Sequence, residues 1–185
     1  PRVAAAWALL SKESRAPCVG WVLDHQVPLG GARPAPLKVK ERLGGRRAAA
    51  EIACLAPDVL AKVCSVRPAL HRFPSSNAKR VQEMCRIVVD EYNGKADRVW
   101  KTAKSGAELY KRVKALPGFG EQKAKIFIAL LGKQLGVTAE GWETVAGDFA
   151  QPGTHMGIAD ITSRESLLEA RAYKQAKKAA DKAAA

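Results

Sequence analysis

The segment from Ser105 to Gly136 constrains this chain most, because it holds two helical patterns with almost nothing between them. Ser105, with Glu108 three residues on, makes the capping-box pattern that starts a helix. Leu109, Val113 and Leu116 then recur on one face at helical spacing. Pro117 disfavours helix in the residue before it, and Gly118 admits the left-handed backbone of a sharp turn. Gly120 removes a second side chain where the next helix begins. From Glu121 the helical period returns, predicting burial of Ala124, Phe127, Ile128, Leu131 and Leu135, with Gly136 as the stop.

That bend has chemical consequences. Leu116-Pro117-Gly118-Phe119-Gly120 presents backbone N–H groups at a helix N-terminus with no side chain in the way, which suits an anion. Lys123 and Lys125, in the first turns of the second helix, add positive charge. A lone Gly-x-Gly is more often an ordinary packed hairpin. The proline, both glycines, Lys123-Ala124 and the flanking helical periods together favour a nucleic-acid phosphate.

The charge of the whole chain points the same way. Of 185 residues, 31 are Lys or Arg against 18 Asp or Glu, a net +13 that calls for a polyanionic partner. No apolar run is long enough to span a bilayer and no segment has the shape of a signal peptide, so the sequence reads as cytoplasmic with no membrane partner; a monomer is expected. The length suits one domain, or two small lobes sharing a cleft. Cys18, Cys54, Cys64 and Cys85 match no zinc spacing and read as buried free thiols in a reducing cytosol.

Taken in order, the pattern predicts helices over 4–10, 37–43, 48–55 and 58–63, with an apolar stretch at 18–23 and a loop at 29–36. A proline-bounded loop at 67–74 carries His71, whose plainer role is structural. Ser75 and Ser76 are candidate caps for a helix whose stripe is Val81, Met84, Cys85, Val88, Val89 and Tyr92. Lys79 and Arg80 open that helix against its dipole, which suggests a partner phosphate or simple solvation. Asn93-Gly94 stops it, and a short helix over 96–102 leads into the hairpin. After Gly136 the pattern is partly irregular until a last helix from Thr162 or Ser163, whose Ala/Lys tail from Lys174 is expected to fray. No β pattern is present, so the predicted fold class is all-α.

Leu116-Pro117-Gly118-Phe119-Gly120-Glu121-Gln122-Lys123-Ala124 resembles the hairpin of the helix-hairpin-helix DNA glycosylases, the endonuclease III-like (HhH-GPD) superfamily of base-excision repair. The resemblance extends to Asp24-His25-Gln26 and Asn77-Ala78-Lys79-Arg80, and residues 68–136 resemble a bacterial branch of that superfamily. It implies one all-α domain of two small helical lobes around a cleft. Residues 28–135 would form the central lobe, containing the hairpin at 105–136, and 1–27 with 137–185 the second. It implies double-stranded DNA as partner, nucleoid association, and hydrolysis of a damaged or mismatched base flipped out of the duplex. Gln26 would fill the space that base leaves, while Gly118, Gly120, Gln122, Lys123, Ala124 and Lys125, with Lys79 and Arg80, would hold the strand. The hairpin carbonyls of Lys114, Leu116 and Phe119 would hold a sodium or potassium ion. No cysteine follows Cys85, so the iron–sulfur cluster of many relatives is expected to be absent, and no other cofactor is implied.

The resemblance also implies a carboxylate against the oxocarbenium-like sugar of the transition state. Hairpin spacing points to Glu140; the apolar-Asp-x-Thr pattern of Ile158 to Thr162 points to Asp160; Asp148 is a third candidate. Gln122 stands where bifunctional relatives carry the Schiff-base lysine, and Lys123 lies about 100° further around the helix, which implies a monofunctional enzyme. Two other classes stay open: a helix-hairpin-helix protein that binds DNA structure without chemistry, and a basic RNA-associated protein. The second lacks an aromatic stacking platform, with aromatics only 6%.

Overall fold

The computed structural model describes residues 39, 41–44, 48–71 and 73–183. Gln26, Cys18, the helical stretches expected before residue 24 and the loop at 29–36 lie outside them. Among the described residues the fold is mostly helical and contains no strand, as an all-α chain should. It divides into two compact units. The first takes the described residues up to Thr102 with Ala115–Phe119; the second takes Ala103–Lys114 and the chain from Gly120.

The first unit contains α1 (Ala49–Ala53), α2 (Pro57–Ser65), α3 (Pro74–Tyr92) and α4 (Arg98–Lys101). Of the expected stripe of α3, Val81, Met84, Cys85 and Val88 are buried and Val89 and Tyr92 are half-buried, and α1 and α2 pack against this helix. Polar side chains close the helix ends. Gln82 donates its amide to the carbonyls of Ile52, Ala53 and Leu55, and Arg42 donates to Val63 O at 2.7 Å and Pro68 O at 2.8 Å. Carbonyls left over at a helix C-terminus need such partners. Burial pushes the Cys64 thiol up to about 11, although Arg42 opposes it, so this sulfur is inert at neutral pH.

Two expectations about α3 are corrected. The helix starts at Pro74, the residue type preferred at a first helical position, and Ser75 and Ser76 lie inside it rather than capping it. Lys79 and Arg80 are therefore beyond the first turn, where the dipole no longer penalises a cation, and they do not oppose it. His71 is 4% exposed, and its Nδ1 accepts from Phe73 N–H at 2.9 Å and from the Asn77 amide at 2.7 Å. It is a structural histidine. Asn93, at φ 51°, ends α3 as its sequence suggests.

The second unit is built on α6 (Glu121–Leu135), whose Ala124, Phe127, Ile128, Ala129 and Leu131 are all 0% exposed. Burying each of the three large side chains stabilises by roughly 1.5–3 kcal/mol. Around it lie α5 (Gly106–Lys114), α7 (Trp142–Ala146), short 3₁₀ turns at Gly147–Ala150 and Ile158–Asp160, and α8 (Arg164–Ala183). The segment after Gly136 is thus more ordered in form than its pattern suggests. The capping pair forms with a shift: Ser105 Oγ accepts Glu108 N–H at 3.2 Å, while the Glu108 carboxylate accepts Lys104 N–H at 2.9 Å. Gly106 lets the chain at Gly141 approach so closely that an added Cβ would lie 2.6 Å from Gly141 O. Gly132 leaves room for the Trp142 ring, 2.5 Å from where its Cβ would be. The last helix runs to Ala183 and takes in the described part of the Ala/Lys tail. No helix among the described residues is long and apolar enough to cross a membrane.

Candidate nucleic-acid interface

The bend puts its apolar residues inward and its glycines outward. In the first unit Leu116 and Phe119 are buried, at 2% and 7% exposure, and Phe119 N–H closes the turn on Leu116 O at 3.1 Å. Gly118 is exposed with φ +83°, the left-handed conformation its position calls for. Beside it lies Arg80, whose Cδ is 4.0 Å from the point a Cβ would take at Gly118. Two residues far apart in the sequence, both expected to meet DNA, are therefore brought together.

In the second unit, Gly120 is the N-cap of α6, with φ −88° and ψ 178°, and no side chain caps the helix. An added Cβ at Gly120 would meet nothing within 4 Å. Neither backbone strain nor protein packing thus requires glycine here. Gln122 is exposed in the first turn, whereas Lys123 is half-buried with its Nζ out of contact with solvent, which corrects the expectation that this ammonium meets a strand. Lys125 Nζ sits 2.9 Å from Glu121 Oε1, and this hydrogen bond holds the Glu121 carboxyl below its ordinary range and raises the Lys125 ammonium. Lys125 therefore offers a paired charge, not a bare one. Lys114 adds a cation that also lowers Glu121, and its Nζ lies 5.6 Å from the Tyr110 ring centroid. Ala124 is corrected: its methyl is 0% exposed in the core and its N–H makes the first helical bond, to Gly120 O at 2.9 Å, so it has nothing to offer a strand.

The candidate acids differ sharply. Asp160, whose side chain is 6% exposed, is held by Lys133 Nζ at 2.6 Å, by Thr154 Oγ1 at 3.3 Å and by Gly157 N–H at 3.2 Å. Lys133 also donates to Gln151 O at 2.6 Å, and the neighbouring Gln134 amide donates to the carbonyls of Ile158, Ala159 and Ile161. Reaching a sugar would require Asp160 to abandon this clamp, so its geometry is that of a fold-holding carboxylate. Helical periodicity gave no sign of the clamp; two polar side chains just before Gly136 were its only trace. Glu140 is exposed and fixed by its backbone, which bridges Ser105 and accepts Gly106 N–H at 2.7 Å. Asp148 is also exposed, in a 3₁₀ turn.

Among the described residues no group of three His, Cys, Asp or Glu is placed to hold a metal. The hairpin carbonyls are another donor type: Leu116 O takes one hydrogen bond and keeps a lone pair, which suits a hard monovalent cation. No protein-family model matches the sequence, and no curated protein and no solved structure matches it.

Proposed function

We propose that this protein binds duplex DNA through the bend at 116–120 and acts there as a monofunctional DNA N-glycosylase of base-excision repair, in keeping with its resemblance to helix-hairpin-helix glycosylases. The observation that carries the reading is the bend itself: Gly118 and Gly120 exposed, Arg80 beside Gly118, and a 15-residue helix whose first turn has no side-chain cap. N–H groups so presented, with the helix dipole behind them, favour a phosphate oxygen. Arg80 and Lys79 supply the sequence-independent attraction.

For the chemistry, Glu140 is the better acid, because its carboxylate is exposed and Asp160 is committed to Lys133. It would stabilise the charge that develops on the sugar as the base leaves, and orient water against it. With Gln122 at the lysine position, the strand is left intact. The engagement of Asp160 equally favours a second reading, a protein that binds DNA structure without chemistry.

The two readings part on labelled duplexes carrying uracil, hypoxanthine, alkylated or oxidised bases, treated with alkali after incubation. Alkali-dependent breaks that vanish in Glu140→Gln establish the glycosylase and its acid. Tight binding with no abasic product on any lesion establishes the binding protein. No duplex binding at all overturns both.

A further inference from the structure

The C-terminal half of α8 presents a second charged surface. Ala170 is the buried residue of this helix, and from Arg171 to Ala183 every residue is exposed. Apolar packing therefore does not explain why this stretch is helical. Alanine and lysine propensity does, helped by cations toward the negative end of the dipole. The stretch holds five cations, Arg171, Lys174, Lys177, Lys178 and Lys182, against one carboxylate, Asp181. Lys174, Lys178 and Lys182 recur every fourth residue, which sets them along one side of the helix about 6 Å apart. Like charges so placed cost a few tenths of a kcal/mol per pair in the free helix.

We infer that this lysine row is a docking surface for a nucleic-acid phosphate backbone, a contact separate from the hairpin; the choice of duplex DNA as the polymer rests on the function proposed above. Charge complementarity carries the assignment. A linear row of ammonium groups meets a polymer with one charge per about 1.7 Å of duplex axis. A membrane surface fits less well. The large exposed apolar side chains of α8, Leu168 and Tyr173, lie about 140° apart around the helix, so they make no continuous face to insert. A folded acidic protein also fits less well, because between Lys174 and Ala183 there is no bulky side chain to anchor in a pocket.

The test is the full chain carrying Lys174→Gln, Lys178→Gln and Lys182→Gln, since glutamine keeps helix propensity. Far-UV circular dichroism checks that the helix remains. Anisotropy of a labelled duplex of about 20 base pairs, titrated between about 50 and 200 mM salt, should show affinity at least about tenfold weaker at low salt and a log–log salt slope smaller by about 2–3. Gly120→Asp is measured in parallel. A triple variant that binds like wild type, beside a weakened Gly120→Asp, overturns the lysine row and leaves the hairpin reading standing. A weakened triple variant beside an unaffected Gly120→Asp supports the row and removes the hairpin. Wild-type protein that ignores the duplex but binds phosphatidylserine vesicles or polyglutamate overturns the inference.

Discussion

At its C-terminal end, α6 sends Lys133 and Gln134 into residues 151–161, where they meet a carboxylate, a hydroxyl and four carbonyls. At its N-terminal end the same helix begins at a bare glycine, with exposed Gln122 in its first turn. One end has its polar groups matched within the protein; the other has no side-chain cap. Matched polar groups hold a fold, whereas a helix start without a side-chain cap forgoes stability that Ser, Asp or Asn would supply. If the proposed function holds, the contrast separates stability from binding along a single element, and substitutions at the two ends should behave in opposite ways.

The largest effect belongs to the matched end. Asp160→Ala leaves the Lys133 ammonium, 17% exposed, without its carboxylate. Removing one partner of such a pair costs about 3 kcal/mol, read as a melting temperature lower by about 6–12 °C. A loss under about 1 kcal/mol would mean that the clamp is ornamental. Gly132→Ala drives a methyl into the Trp142 ring and should cost about 1–3 kcal/mol, largely recovered when Trp142 is made Leu in the same chain.

These two positions show what the sequence leaves hidden. The hairpin, the buried stripe of α6, the αL stops at Asn93 and Gly136 and the Ser105–Glu108 pair are local patterns, so they are legible. Gly132 against Trp142, Gly106 against Gly141 and Lys133 with Asp160 depend on chain segments meeting across the fold, which no local period encodes. The Asp160 motif was visible as a pattern, yet its meaning depended on a lysine 27 residues away. At Pro74 a backbone preference for the first helical position overrode the serine caps one and two residues later.

A smaller effect comes from α5. Ser105→Ala removes a cap and should cost about 1 kcal/mol in chemical denaturation. Its partner gives a pH signature. The Lys104 N–H, then Arg112, hold the Glu108 carboxyl below its ordinary 4.5. A lowered folded-state value means that the contribution is present above the unfolded value and is lost as pH falls through the folded one. Glu108→Gln should therefore flatten the acid side of the stability curve below about pH 4.5 and leave its shape at neutral pH unchanged.

The smallest effect on stability lies at the open end. Glu121 places a carboxylate in the first turn of α6, pulled toward ionisation by Lys125. Glu121→Gln should tighten duplex binding about two- to fivefold at low salt, with stability nearly unchanged. Because the folded carboxyl titrates below its ordinary range, wild-type binding should show the same tightening only as pH falls beneath that range. Weaker binding by Glu121→Gln would place the phosphate elsewhere.

The sharpest measurement is duplex affinity of Gly120→Asp set beside its melting temperature. The site has room for the side chain and an ordinary backbone, and aspartate is a better helix cap, so the variant should melt no lower than wild type. Its carboxylate would occupy the place proposed for a phosphate, so affinity should fall at least about tenfold in anisotropy titration. A variant that melts like wild type and still binds the duplex with wild-type affinity and salt slope would contradict the assignment of the bend as the DNA-binding element.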